Sequence, residues 1–456
     1  MIFIEANSRS KLETELKNCF SRNQFDTLAL VFGIQVLGFF YCLWFLTRHG
    51  YLPVFPQFTF AALMDFFDPL YWSENDGRYT EWKSVYPPLN FLFLKSVKLI
   101  LLGDSNFSNS FALRASAFPA ALFFLFSYLI VPALVLKTKL WNCFNATEKI
   151  LLYFTIILSM PMLFALQRGN LIIFTLIFIA LALGKSGLVR AICIAVLINL
   201  KPYFALLLVY YLVRHNWKEF WRCTLATGML FVGTGLLLDH NFFLLFSNMF
   251  DWSQNTEVFS LKEVMAMPSS ISAFSYVLNS EAIQRTKYSH YFNLHAIANL
   301  IAVIKWFAIA WILVVLYKKQ KLLGDTHIIA ILLVVISNYS IRVGGYTLIF
   351  YITLLPVFLT MRFRNVYCVI LILLSAPLDF IPLAKETLGE QYSYLTNAMV
   401  EVHWTLGVGS VLRPILNFVL MATLLYEISQ LKQQLVVGDH LDNDVVLQDL
   451  KLTAGV

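Results

Sequence analysis

Long apolar runs recur along this chain, and they constrain its fold more than any other feature. The first, Thr27–Leu46, has the ~20 residues a helix needs to cross roughly 30 Å of hydrocarbon. Further runs follow at 88–102, 110–136, 149–166, 170–184, 188–213, 223–238, 294–317, 327–341, 346–360, 366–382 and 404–429. With 59% hydrophobic and 13% charged residues and a mean hydropathy of +0.69, the chain cannot clothe a soluble domain. In lipid every backbone polar group needs an internal partner. An all-α polytopic membrane protein is therefore expected, with about eleven to thirteen transmembrane helices. Residues 1–26 are expected to form a cytoplasmic segment, 27–429 the membrane domain and 430–456 a polar tail. Small residues of a cleavage site do not follow the first run, so it reads as an anchor and not a signal peptide.

Lys and Arg mark cytoplasmic loops. Lys137 with Lys139, Lys185 with Arg190, Arg214 with Lys218 and Arg222, Lys318-Lys319-Gln320-Lys321, and Arg362 with Arg364 all lie in short connections. Two long loops, 47–87 and 239–293, each carry five acidic and three basic residues and are placed outside. Two points stay open. If 88–102 crosses fully, Lys137 and Lys139 fall on the wrong side, whereas a re-entrant or interfacial helix removes the conflict. Lys201-Pro202 within 188–213 marks either a kink or a tight turn between two short helices. The net charge of +7 is explained by these loops, with membrane lipids as partners and no nucleic acid. The six cysteines have no C-x-x-C spacing and imply neither a disulfide frame nor a metal site.

Candidate chemistry concentrates in the first long loop, where Asp65, Asp68, Glu74, Asp76 and Glu81 precede Tyr86-Pro87-Pro88-Leu89. Asp65 and Asp68 are three apart in an amphipathic stretch, hence on one helix face. Asp76 lies in Asn75-Asp76-Gly77, a turn signal, and reads first as a backbone-capping residue. Acidic residues this close could bind a divalent ion weakly. Arg168 and Asn170 in Gln167-Arg168-Gly169-Asn170, Lys201, and Arg342 after Ser340-Ile341 all fall on the outer side. Each cation alone reads as a snorkelling residue; converging on one cavity, the three would form a phosphate clamp. The loop 239–293 is long enough to imply function, and its aromatics suggest interfacial helices that roof the cavity, with Asp251, Glu263, Arg285 and His290 as candidate contacts.

With the acidic first loop, Tyr86-Pro87-Pro88-Leu89, Leu102-Gly103-Asp104-Ser105 with Arg114, Arg168-Gly169-Asn170, Leu200-Lys201-Pro202 and the run ending at Pro356, the chain resembles GT-C glycosyltransferases. Among them it is most similar to the polyprenol-phosphate-dependent mannosyltransferases. Where similar proteins carry a histidine before the position of Tyr346, this chain has Gly344-Gly345. The resemblance covers roughly residues 25 to 430 and implies a polyprenyl-phosphate sugar donor, a lipid or glycan acceptor, and one outer-loop aspartate as base. It also implies a bacterial inner membrane with the site on the periplasmic or extracellular face. Asp65 ranks first as base, Asp68 second and Asp76 third. Tyr86, Pro87, Arg168, Asn170, Lys201 and Arg342 are the expected substrate contacts. A glycan polymerase or ligase, or a lipid-linked sugar flippase or transporter, is the alternative.

Overall fold

The computed structural model describes residues 22–54, 62–238, 241–254, 261–279, 284, 293–339, 345–396 and 398–431. They form a multi-pass helical membrane protein. Four helices are long and apolar enough to span: α1 (Arg22–His49), α5 (Phe118–Leu136), α15 (Leu294–Lys319) and α19 (Val408–Gln430). The pair α6 (Ala146–Ile157) and α7 (Met160–Arg168) passes the same test as one unit bent by 50°, where Pro161 starts the second helix. Shorter apolar helices fill the bundle: α8 (Ile172–Gly184), α9 (Gly187–Leu200), α10 (Val209–Val213) behind a 3-10 stretch Pro202–Leu208, α16 (Asp325–Tyr339), α17 (Phe350–Phe358) behind Gly345–Ile349, and α18 (Arg364–Ser375). The helix α11 (Trp217–Leu236) opens on an Asn216 cap bonded to Glu219 N.

Both open points of the sequence are settled by polar contacts. Arg190 in α9 and Arg214 just after α10 bind opposite oxygens of Asp325, at 2.8 and 2.9 Å. Both feet of 187–213 therefore stand at one end of the bundle, and Lys201 is the tip of a hairpin of two short helices. The short helix α3 (Pro88–Leu102) does not cross. Asn90 near its start donates to the carbonyls of Asn199 and Leu200 beside that tip, at 3.1 and 3.0 Å. Towards its other end Lys98 is ion-paired to Glu74, just past α2 (Met64–Trp72). The helix α3 thus lies across the end of the bundle that carries Asp65, so Lys137 and Lys139 reach the opposite, Asp325 end without conflict.

The segment between α18 and α19 departs from the expected helices. Strands β1 (Pro382–Tyr392) and β2 (Met399–Gly407) pair antiparallel from Pro382↔Gly407 to Tyr392↔Met399, with two register shifts; they are the only strands among the described residues. The last span accordingly starts at Val408 and not at 404. At the root of the hairpin, Arg413 and Asp379 form a fully buried two-pronged ion pair. Arg413 also donates to the carbonyls of Ala376 and Leu374. A Cβ on Gly409 would lie 2.7 Å from Asp379 Oδ1, which is why that turn of α19 is bare.

Inside the bundle Asn338 of α16 donates to Asn417 Oδ1 of α19 at 3.0 Å, and Asn417 donates to Ser269 O at 2.7 Å. Such bonds hold helices together where lipid supplies no hydrophobic drive. Ser269 belongs to the second long loop, so part of that loop is inserted between α16 and α19.

Candidate active site

Helix α2 presents Asp65 in its first turn. The tip between α7 and α8 lies against it, because Leu63 N donates to Gln167 O at 2.7 Å. Both backbones turn left-handed here, Leu63 with φ 58° and Gly169 with φ 73°. A Cβ on Gly169 would meet Leu63 Cα, Leu63 O and Phe66 Cβ at 2.9 Å each, so only glycine permits this approach. Three donors then converge on one carboxylate. Arg168 Nη2 reaches Asp65 Oδ1 at 3.0 Å, while Asn170 Nδ2 and the Tyr346 hydroxyl reach Oδ2 at 2.8 and 3.1 Å. Asn170 is itself fixed, since its Oδ1 caps α8 by accepting from Ile172 N at 3.0 Å. An ionised carboxylate has about four lone-pair sites, so Asp65 retains one while its orientation is set by the other three.

Lys201 stands nearby at its hairpin tip, its ammonium 4.3 Å from the centre of the Tyr86 ring. Among the described residues it has no hydrogen-bond partner and no carboxylate within ion-pair distance; Asp65 acts on it only through space. Burial, helped by the charge of Asp65, raises the Tyr86 hydroxyl well above its ordinary value, so it stays protonated. Pro87 caps α3, and its carbonyl accepts from Asn90 at 3.2 Å, which seats the tyrosine.

Asp68 lies one turn beyond Asp65 on the same face. Burial and then Asp65 raise its carboxyl; a bond from Ser110 and the charges of Arg168 and Arg114 oppose the shift. Asp76 opens a 3-10 turn with its side chain 95% exposed and Arg78 4.0 Å away. It makes none of the bonds to Asp65 or its partners. Arg342 lies outside the described residues. Asp65, Arg168, Asn170, Lys201 and Tyr86 are thus gathered, while Tyr346, a mere landmark in the sequence, joins them as a direct ligand of Asp65.

Residues 85–338, more than half of the chain, match the model of glycosyltransferase family 87. The chain belongs to this family. It is a glycosyltransferase family of the GT-C type, and Tyr86, Pro87, Arg168, Asn170 and Lys201 lie within the matched span. No curated protein and no solved structure matches this glycosyltransferase.

A second unit of the glycosyltransferase supports Tyr346. Its ring stacks on Phe164 at 4.6 Å, and Gly345 N donates to Met267 O at 2.6 Å. Met267 and Phe164 share a small buried cluster with Val54 and Met160. The second long loop therefore does reach the site, through the Met267 backbone and not through the charged residues named for a roof. Asp251 is exposed; Arg285, His290 and the Glu263 side chain lie outside what is described. Gln167 and Tyr394 also went unnoticed in the sequence. Gln167 Nε2 donates to the Tyr394 hydroxyl at 3.2 Å, bringing the β-hairpin tip to the site. Burial pushes that hydroxyl up to about 12. Among the described residues, no three of His, Cys, Asp and Glu come together as a metal site.

Proposed function

We propose that this glycosyltransferase moves a hexose, mannose-like, from a polyprenyl-phosphate donor to a lipid or glycan acceptor at the outer face of the membrane. The observation that carries the reading is Asp65, oriented by Arg168, Asn170 and Tyr346, beside a Lys201 ammonium that has no hydrogen-bond or ion-pair partner among the described residues. The acceptor hydroxyl gives its proton to Asp65 as its oxygen bonds to the anomeric carbon. The bond from that carbon to the phosphate oxygen breaks on the opposite side, and the electron pair leaves on the polyprenyl phosphate. Lys201 and Arg168 neutralise the departing charge. A single displacement of this kind inverts the anomeric centre and uses no carboxylate nucleophile.

The opposite end supports the orientation. Arg190 and Arg214 sit there with Asp325, near the Lys318-Lys319 pair that ends α15. The charge rule reads that end as cytoplasmic, which supports our reading of Asp65 as facing the periplasmic or extracellular side of a bacterial inner membrane. The test is transfer from a panel of radiolabelled polyprenyl-phosphate sugars by purified wild type and Asp65→Asn. Turnover with one donor that vanishes in the folded variant supports the reading. If no donor is used and reconstituted vesicles instead flip a lipid-linked sugar, the transporter alternative takes its place.

A further inference from the structure

The site has two flanks that meet at Arg168. Tyr86 feels Asp65, Tyr346, Arg168 and Tyr203; Tyr394 feels Gln167, Arg114 and Arg168. The first flank holds Lys201 and suits a phosphate. The second is built differently. Its carbonyl Gln167 Oε1 and its donor Arg168 Nε are both buried and, among the described residues, without hydrogen-bond partners. Buried polar atoms are rarely left so, because each costs about 1–3 kcal/mol. A phosphate could accept from Arg168 Nε but has no proton for Gln167 Oε1. A hydroxyl both donates and accepts, and a sugar presents several side by side.

The tip that completes this flank is fastened from behind. Tyr394 N donates to Gly50 O at 2.7 Å, and Ser393 Oγ donates to the same carbonyl at 3.1 Å. Gly50 has φ 78°, and a Cβ there would fall 2.5 Å from Ser393 Oγ. Further along the hairpin, His403 N donates to the Tyr51 hydroxyl at 3.3 Å. Three hydrogen bonds to the segment that follows α1 therefore hold Tyr394 over Gln167. The hairpin itself is otherwise largely exposed.

We propose that Gln167 and Tyr394 form the acceptor subsite, in which Gln167 Oε1 and Arg168 Nε take hydroxyls of a sugar-bearing acceptor and Tyr394 positions the Gln167 amide. This rests on the transferase reading and names the side of Asp65 from which the acceptor approaches. The two residues set acceptor affinity and leave the donor phosphate to Lys201.

The experiment reads binding, so it does not depend on having found the true substrates. Thermal unfolding is followed in a detergent without a sugar headgroup, for wild type, Gln167→Ala and Tyr394→Phe. Methyl and hexyl α-mannosides, glucosides and galactosides form one arm, and decaprenyl phosphate the other. At least one glycoside stabilises wild type, and each variant needs about tenfold more of it, the loss of roughly one hydrogen bond. The decaprenyl phosphate response stays within about twofold in both variants, which also certifies their folding. Preference for hexyl over methyl glycosides identifies a lipid-borne sugar; equal responses identify a free glycan. A glycoside response that survives both substitutions, or the lack of any in wild type, overturns the subsite. A glycoside response lost in the variants, with no decaprenyl phosphate response in wild type, supports the subsite while counting against the lipid-phosphate donor.

Discussion

Arg168 and Asp65 are 103 positions apart and 3.0 Å from each other. The pair is largely shielded, with the two side chains 27% and 18% exposed, so it is partly open to a ligand yet removed from bulk water. That balance suits the role of base proposed for Asp65.

The three loop aspartates separate by position. Asp65→Asn is expected to lower turnover by about 10²–10⁴-fold, the usual worth of a positioned general base. Asp68→Asn acts through its neighbours and should cost less than about tenfold, and the exposed Asp76→Asn should stay within about twofold. Initial rates with the best donor of the panel rank the three; a larger loss at Asp68 than at Asp65 reverses the assignment.

Lys201 predicts a charge requirement. Lys201→Arg, which stays charged, should keep the donor KM within about tenfold. Lys201→Met should raise the donor KM by about 10–100-fold, the loss of a charged hydrogen bond of about 1.5–3 kcal/mol.

Gly169 lets the α7–α8 tip approach Asp65 without itself bonding to the carboxylate. Gly169→Ala adds a Cβ 2.9 Å from backbone and side-chain atoms at a left-handed φ. The α7–α8 tip must back away from α2, stretching the Arg168 and Asn170 bonds to Asp65. A loss of about 1–3 kcal/mol of stability and a drop in turnover at unchanged expression are expected, read by thermal unfolding and single-turnover transfer.

The buried pair Arg413–Asp379 roots the β-hairpin. Removing one partner strands a charge and should cost about 3–5 kcal/mol. Arg413→Met with Asp379→Leu should recover much of that loss, because no charge is left behind. Comparing unfolding of the two single variants with the double variant measures the coupling. Additive effects would mean that the pair is not what fixes the hairpin.

The bundle was legible because apolar runs declare themselves whatever their partners. The cations were legible because Arg168 and Lys201 interrupt such runs at turns. The roles of Tyr346, Gln167 and Tyr394 were not, since a lone tyrosine or glutamine says nothing until the chain brings its partner from more than two hundred positions away. The β-hairpin hid in a short polar interval between two spans. Lys305 was hidden for a different reason: deep in the apolar α15, it is buried and donates to Tyr339 O at 2.9 Å, closing the last turn of α16. Its backbone partner leaves no mark in sequence.

The hairpin of α9 with its 3-10 return has both feet on Asp325 and Lys201 at its crown. From Arg190 to Lys201 the chain climbs eleven residues, about 16 Å along a helix, while hydrocarbon is roughly 30 Å thick. The two charged clusters thus stand closer together than the two faces of an undisturbed bilayer. For the lipid-phosphate donor proposed above, either the leaflet dips to meet the ammonium or the phosphate sinks below its neighbours to reach it, so lengthening the acyl chains of a reconstituted bilayer should slow transfer before any residue of the site is altered.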